Sequence, residues 1–197
     1  DIEETTRSML SVAATSAQRI IALTNDFRAA ALGIDNAADL ERRRTAVGEI
    51  IEPAVAAFAP VAESREVSVR LDCAPRIAAY VDKFRLRQVI DNILSNAIKY
   101  CRRGGGVCIR VGQDERETVI TITNGSDGLT DAELARIFDR FYRTDKARRS
   151  DVDGSGLGLA ISRDIVSRHG GRIAATSVLN QSVTLTVTLP HPAEDVS

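Results

Sequence analysis

The rhythm of apolar and polar positions changes several times along this chain, and each rhythm points to an element. Over residues 3–32 there is no Pro or Gly, and Leu10, Ala14, Ala17, Ile21, Thr24 and Phe27 recur at helical spacing, which predicts one long helix. Its apolar stripe is narrow and rich in small residues, like a helix–helix seam, and Gly33, Asp35 and Asn36 close it. Such a stripe calls for a partner helix, and a homodimer is the simplest supplier.

Beyond that helix the periods alternate. Helical spacing predicts helices over 47–63, 82–100, 131–138 and 157–168, and strand-like runs predict strands over 66–71, 78–81, 107–112, 118–123, 172–177 and 183–189. In Val119, Ile120, Thr121 and Ile122, apolar residues alternate with polar ones, as in a strand packed on one side and wet on the other. The expected fold is therefore α/β, a two-layer sandwich of a mixed sheet with helices on one side, preceded by a long α-helix. Residues 139–155 are strongly charged and show no period, the character of a lid beside a ligand site.

Composition narrows the function. The 197 residues, 44% of them hydrophobic, suffice for one full core and a smaller appended element. With 26 basic and 27 acidic residues there is no field to draw nucleic acid or an anionic membrane. Cys73, Cys101 and Cys108 are odd in number and lack C-x-x-C spacing, which fits reduced thiols of a cytoplasmic protein. No apolar run approaches the roughly 18 to 20 residues of a membrane-spanning helix. The sequence opens on Asp1 with Met9 as its one methionine, so it is expected to be a piece of a longer protein.

Three motifs carry chemistry. Gly154, Gly156 and Gly158, with Leu157 and Leu159 between and after them, stand where the charged segment gives way to an apolar-periodic helix. Glycines there admit close backbone approach, and the free N–H groups of a helix start attract phosphate oxygens. On the 82–100 helix, Asn92, Asn96 and Lys99 fall on one face while Ile93, Leu94, Ala97 and Ile98 cover the opposite one. Amide oxygens suit Mg²⁺ and an ammonium suits phosphate. The third is a turn after a strand, Asn124, Gly125, Ser126, Asp127, Gly128 and Leu129, followed by a helix and then Ile137, Phe138, Asp139, Arg140, Phe141, Tyr142 and Arg143.

In this order the motifs resemble the asparagine, first glycine, phenylalanine and second glycine boxes of the sensor histidine kinases, here at 91–100, 124–129, 137–143 and 154–159. The resemblance implies the Bergerat ATP-binding fold. It divides the chain into part of a dimerisation hairpin (1–36), a catalytic domain (37–192) and a tail (193–197). It implies ATP and Mg²⁺ as ligands, with Asn96 on the metal, Asn92 and Lys99 near metal and phosphates, and Tyr100 lining the pocket. The same likeness puts Asn124, Ser126, Gly128, Phe138 and Arg143 in the nucleotide site. There Gly154, Gly156 and Gly158 would hold the phosphates while Leu157 and Leu159 anchor the helix. Arg140, Arg143, Lys146, Arg148 and Arg149 would give the lid a basic cluster. The implied partners are the receiver domain of a response regulator and a second copy of the parent, with any membrane contact made by other parts of the parent.

Asn92 separates this chain from gyrase-like and heat-shock-protein-90-like relatives, where a glutamate activates water, because an amide cannot be that base. Transfer to a protein side chain is favoured over hydrolysis. Two departures stand out. Counting back from Phe138, Asn124 takes the place of the family's adenine-reading aspartate and Ser126 that of its first glycine. An uncharged acceptor predicts ATP affinity lower by about 1 to 2 kcal/mol. The second concerns the phosphoacceptor: His169 and His191 are the chain's two histidines, one closing a helix before Gly170 and the other following Pro190, and neither has an acceptor's setting. The chain is expected to bind Mg-ATP without autophosphorylating by itself. A nucleotide-sensing pseudokinase and an anti-sigma-type serine kinase are the alternatives. Asn124 and Ser126 favour the first, and the N-terminal helix and phenylalanine box oppose the second.

Overall fold

A computed structural model describes residues 40–74, 76–149 and 154–192. The predicted helix over 3–32, the tail and residues 150–153 of the charged segment lie outside the described residues.

Two sheets form. A five-stranded sheet has the order β2 (Ser68–Cys73), β4 (Gly106–Gln113), β5 (Glu117–Gly125), β7 (Ser182–Pro190), β6 (Arg172–Val178). The β2–β4 pair is parallel and the others antiparallel, so the sheet is mixed as expected. Along β5, Thr118, Ile120, Ile122 and Asn124 are buried while the residues between them are half-buried. A second sheet of two short antiparallel strands pairs β1 (Arg43–Ala46) with β3 (Ala78–Val81). The sequence reading had β3 but not β1, whose Arg-Arg-Thr-Ala run has no apolar alternation to announce it.

Helices α1 (Gly48–Ser64), α2 (Lys83–Tyr100) and α5 (Gly158–Arg168) pack against the five-stranded sheet. On α2, Leu86, Val89, Ile90, Ile93, Leu94, Ala97 and Ile98 are all buried, a stripe at i, i+3, i+4 spacing, and Ile109, Ile120, Ile122 and Val187 of the sheet are buried as well. Asp82 starts this helix by accepting the backbone N–H groups of Phe84 and Arg85, each at 3.0 Å. Its own N–H donates to Nε2 of His169 at 3.0 Å, and Nδ1 of His169 reaches the Ile165 carbonyl at 2.8 Å. The imidazole thus ties the end of α5 to the start of α2, a structural role in keeping with its sequence setting. Burial holds its pKa below 6.5, with Arg42 and Arg168 acting the same way against the Ile165 carbonyl and Asp82.

The helix expected over 131–138 is shorter. Thr130 and Glu133 form a reciprocal capping box for α3 (Asp131–Leu134). Beyond it Arg136 N–H turns to Glu133 and Asp139 N–H to Arg136, three-residue spacings that tighten the chain out of the α-helix. The described part of the charged segment is not wholly irregular either, since it contains α4 (Asp145–Arg149).

Candidate functional site

The polar face of α2 and the start of α5 meet. Asn92 donates through Nδ2 to the Gly158 carbonyl at 3.1 Å and to Oγ of Ser162 at 3.4 Å, and Ser162, wholly buried, donates to the same carbonyl at 2.9 Å. Asn92 therefore acts here as a clasp that sets α5 against α2. A Cβ on Gly158 would lie 3.5 Å from Cγ of Asn92, so only a small residue fits without pressing on the clasp. Leu157 is buried and Leu159 half-buried, so both root this junction in the core.

Two turns further along α2, Nζ of Lys99 sits where it would be 3.1 Å from a Cβ on Gly154, so the ammonium lies directly over that glycine. Burial pushes the Lys99 pKa down to about 8, and the charges of Arg143 and Arg65 add to the shift. Arg65 is tied to the Lys99 carbonyl at 2.8 Å. Lys99 thus holds its ammonium over an exposed glycine backbone and feels two further cations, an arrangement that an anion would relieve. Arg65 was absent from the sequence reading; it stands 34 residues before Lys99 and nothing local marks it. Asn96, between Asn92 and Lys99 on the same face, is half-buried. Tyr100 is 42% exposed at the end of the helix, with Lys99 Nζ 5.6 Å from its ring centre.

The charged segment is clasped at its roots. Gly156, at φ +74°, leaves no room for a side chain, because a Cβ would stand 2.8 Å from the Phe141 carbonyl carbon. Phe141 N–H donates to the Gly156 carbonyl at 3.0 Å, with Phe141 itself at φ +63°. Arg143 donates to the Ala147 carbonyl, and Phe138 lies under the Arg163 guanidinium at 5.9 Å. Lys146 of α4 pairs with Asp127, which also receives Arg102 Nε at 3.1 Å. Asp127 therefore latches the segment to the turn after β5, a role the sequence reading did not assign.

That turn holds the two departures. Ser126 is buried and content: its N–H donates to the Gln181 carbonyl at 3.0 Å and its Oγ accepts the Gly128 N–H at 3.2 Å. Its backbone does not take the left-handed conformation that would need glycine. Gly128 does, at φ +81°, with Leu179 Cα 2.9 Å from where a Cβ would be. Asn124 differs. It is 6% exposed, and its Nδ2 has no hydrogen-bond partner among the described residues. A buried unmet donor costs about 1 to 3 kcal/mol, which makes the position one that a ligand can satisfy.

A cleft of about 320 Å³ between the two-stranded sheet and the end of the larger one, lined by Arg44, Tyr80, Gln113 and His191, holds none of the predicted site residues.

Comparison with known proteins identifies the family. Residues 81–193 match the model of the "Histidine kinase-, DNA gyrase B-, and HSP90-like ATPase" family. The sensor histidine kinase WalK of Bacillus subtilis (strain 168) is 41% identical over 116 residues, which is 58% of this chain and 19% of that protein. The signal transduction histidine-protein kinase BaeS of Escherichia coli (strain K12) is 32% identical over 168 residues, 85% of this chain and 36% of that one. Among solved structures, the mycobacterial sensor histidine kinase MprB superposes with a TM-score of 0.64 at 26% identity, covering 77% of this chain and 99% of that chain. The chain thus spans little more than a third, at most, of these two curated relatives.

Proposed function

This chain belongs to the histidine kinase-, DNA gyrase B- and HSP90-like ATPase family, and we propose that it is the ATP-binding catalytic module of a sensor histidine kinase. The intact parent then moves the γ-phosphoryl group of ATP to a histidine outside this sequence, for relay to an aspartate of a response regulator. The observation that carries this reading is the Lys99 ammonium held over the exposed Gly154 backbone, beside the start of α5, where burial and the charges of Arg143 and Arg65 disfavour its proton. Such a site takes a triphosphate tail. Two curated relatives, one named a sensor histidine kinase and the other a signal transduction histidine-protein kinase, support the same reading and favour neither alternative.

Mg²⁺ fits as a companion of the nucleotide. Among the described residues no group of three His, Cys, Asp or Glu could hold a metal unaided. The half-buried Asn96 amide offers one hard oxygen ligand, which suits an ion that keeps its other places for phosphate and water. In this reading Asn92 and the Gly158 carbonyl keep the helix start in register, Lys99 and Arg143 neutralise phosphate oxygens, and Asn124 with Gly128 borders the base. Tyr100, Phe138 and Ser126 wall the pocket, and α4 belongs to a lid over it. Residues 1–36 serve as a helix of the dimerisation hairpin, 37–192 as the catalytic domain and 193–197 as a tail, in the cytosolic portion of a membrane-anchored homodimeric parent. No described helix is long and apolar enough to cross a membrane.

Calorimetric titration with Mg-ATP tests the reading. Binding in the micromolar to millimolar range that is lost in Asn96→Ala is expected; heat that is unchanged by that substitution would remove Asn96 from the metal, and no heat at all would remove the nucleotide.

A further inference from the structure

We propose that Asn124 makes this pocket accept 6-oxopurine nucleoside triphosphates as well as 6-aminopurine ones. The inference rests on the reading of Asn124 as the residue that faces the base. What the structure adds is an amide, not a carboxylate, in a buried position with an unmet donor: Asn124 is 6% exposed and its Nδ2 has no partner among the described residues. The neighbouring polar groups do not use it. Ser126 is engaged with Gln181 and Gly128, and Thr123 with Thr184 at 2.8 Å.

The two purine classes present opposite patterns at the edge that such a side chain reads. A 6-aminopurine offers an N–H donor at the exocyclic position and an acceptor at ring N1, whereas a 6-oxopurine offers an oxygen acceptor and an N1–H donor. A buried carboxylate only accepts, so it binds the first and repels the carbonyl oxygen of the second. A side-chain amide carries one acceptor and one donor group, and a half-turn about its last bond exchanges them. Asn124 meets either base with a complementary pair, and the donor left unmet in the fold is the one that the 6-oxo group requires. Sites that reject an analogue by leaving buried polar groups unpaired discriminate by about 10⁴-fold or more, and an amide that can turn gives up most of that rejection.

Inosine triphosphate is the probe, since it differs from ATP only at C6 and N1. Calorimetric titration of the unchanged chain with Mg-ITP and with Mg-ATP should give dissociation constants within about tenfold of each other. In Asn124→Asp, ITP should weaken by about a hundredfold or more relative to ATP. A preference for ATP of about a hundredfold or more in the unchanged chain overturns the proposal without touching the nucleotide reading, as does an ITP-to-ATP ratio that Asn124→Asp leaves alone. Failure of both nucleotides to bind overturns the proposal together with that reading. The comparison in the unchanged chain stands even if the buried aspartate disturbs folding.

Discussion

Lys99 holds its charge over the Gly154 backbone with the charges of Arg143 and Arg65 acting on it, whereas a single uncharged amide, Asn124, sits buried beside the Gly128 turn. The first arrangement works through charge, which acts over several ångströms and tolerates small displacements. The second works through the direction of one donor and one acceptor. On the proposed reading, recognition of phosphate would therefore be robust and unspecific, whereas recognition of the base would be delicate and set by one side chain.

The strongest way to break the charged end is through its backbone. Gly156→Val puts a branched side chain at a positive φ and into the Phe141 backbone, and should lower unfolding free energy by about 2 to 4 kcal/mol, read in urea melts. Next is Lys99→Met, expected to weaken Mg-ATP by about 2 to 3 kcal/mol in titration, because a charge-assisted contact is lost. The same lysine gives the charged end a pH signature. With a pKa of about 8, it loses its proton as pH rises through that value, so nucleotide affinity should fall above about pH 8, and Lys99→Arg should flatten the decline. The sign for the unliganded fold is opposite: the unfolded chain holds that proton up to 10.5, so stability should rise with pH between about 8 and 10.5.

Asn124→Asp sharpens the contrast from the other side and should tighten ATP by about 1 to 2 kcal/mol, measured by calorimetry. The smallest effect is expected at Asp127→Asn. The Lys146 pair is exposed, so stability should change by at most about 1 kcal/mol, while stopped-flow release of a fluorescent ATP analogue should quicken as the latch on α4 loosens.

The same division explains what the sequence made legible. The face of α2 was readable because Asn92, Asn96 and Lys99 are separated by whole turns and flanked by a buried stripe, so spacing alone sorts them. The glycines were readable because their geometry forces their identity, as Gly128 and Gly156 illustrate. Arg65, Ser162 and Asp127 were not, since each acts on a partner far along the chain and is an ordinary residue where it stands. Strand β1 escaped because its pairing with β3 is by backbone, with no apolar pattern to betray it. The amide nitrogen of Asn92 is engaged with Gly158 and Ser162, a tertiary bond no spacing could announce.

The parallel pairing of β2 with β4 has a consequence for how the molecule opens. Among the described residues β2 is an edge strand paired with β4 alone, and the chain between the two strands runs through β3 and α2. The helix that carries Asn92, Asn96 and Lys99 is thus also part of the connection that returns the chain to the sheet. Local unfolding that frees α2 must loosen the β2 edge with it, so the backbone amides of Ser68, Arg70 and Asp72, which face β4, should exchange with deuterium more slowly once nucleotide is bound.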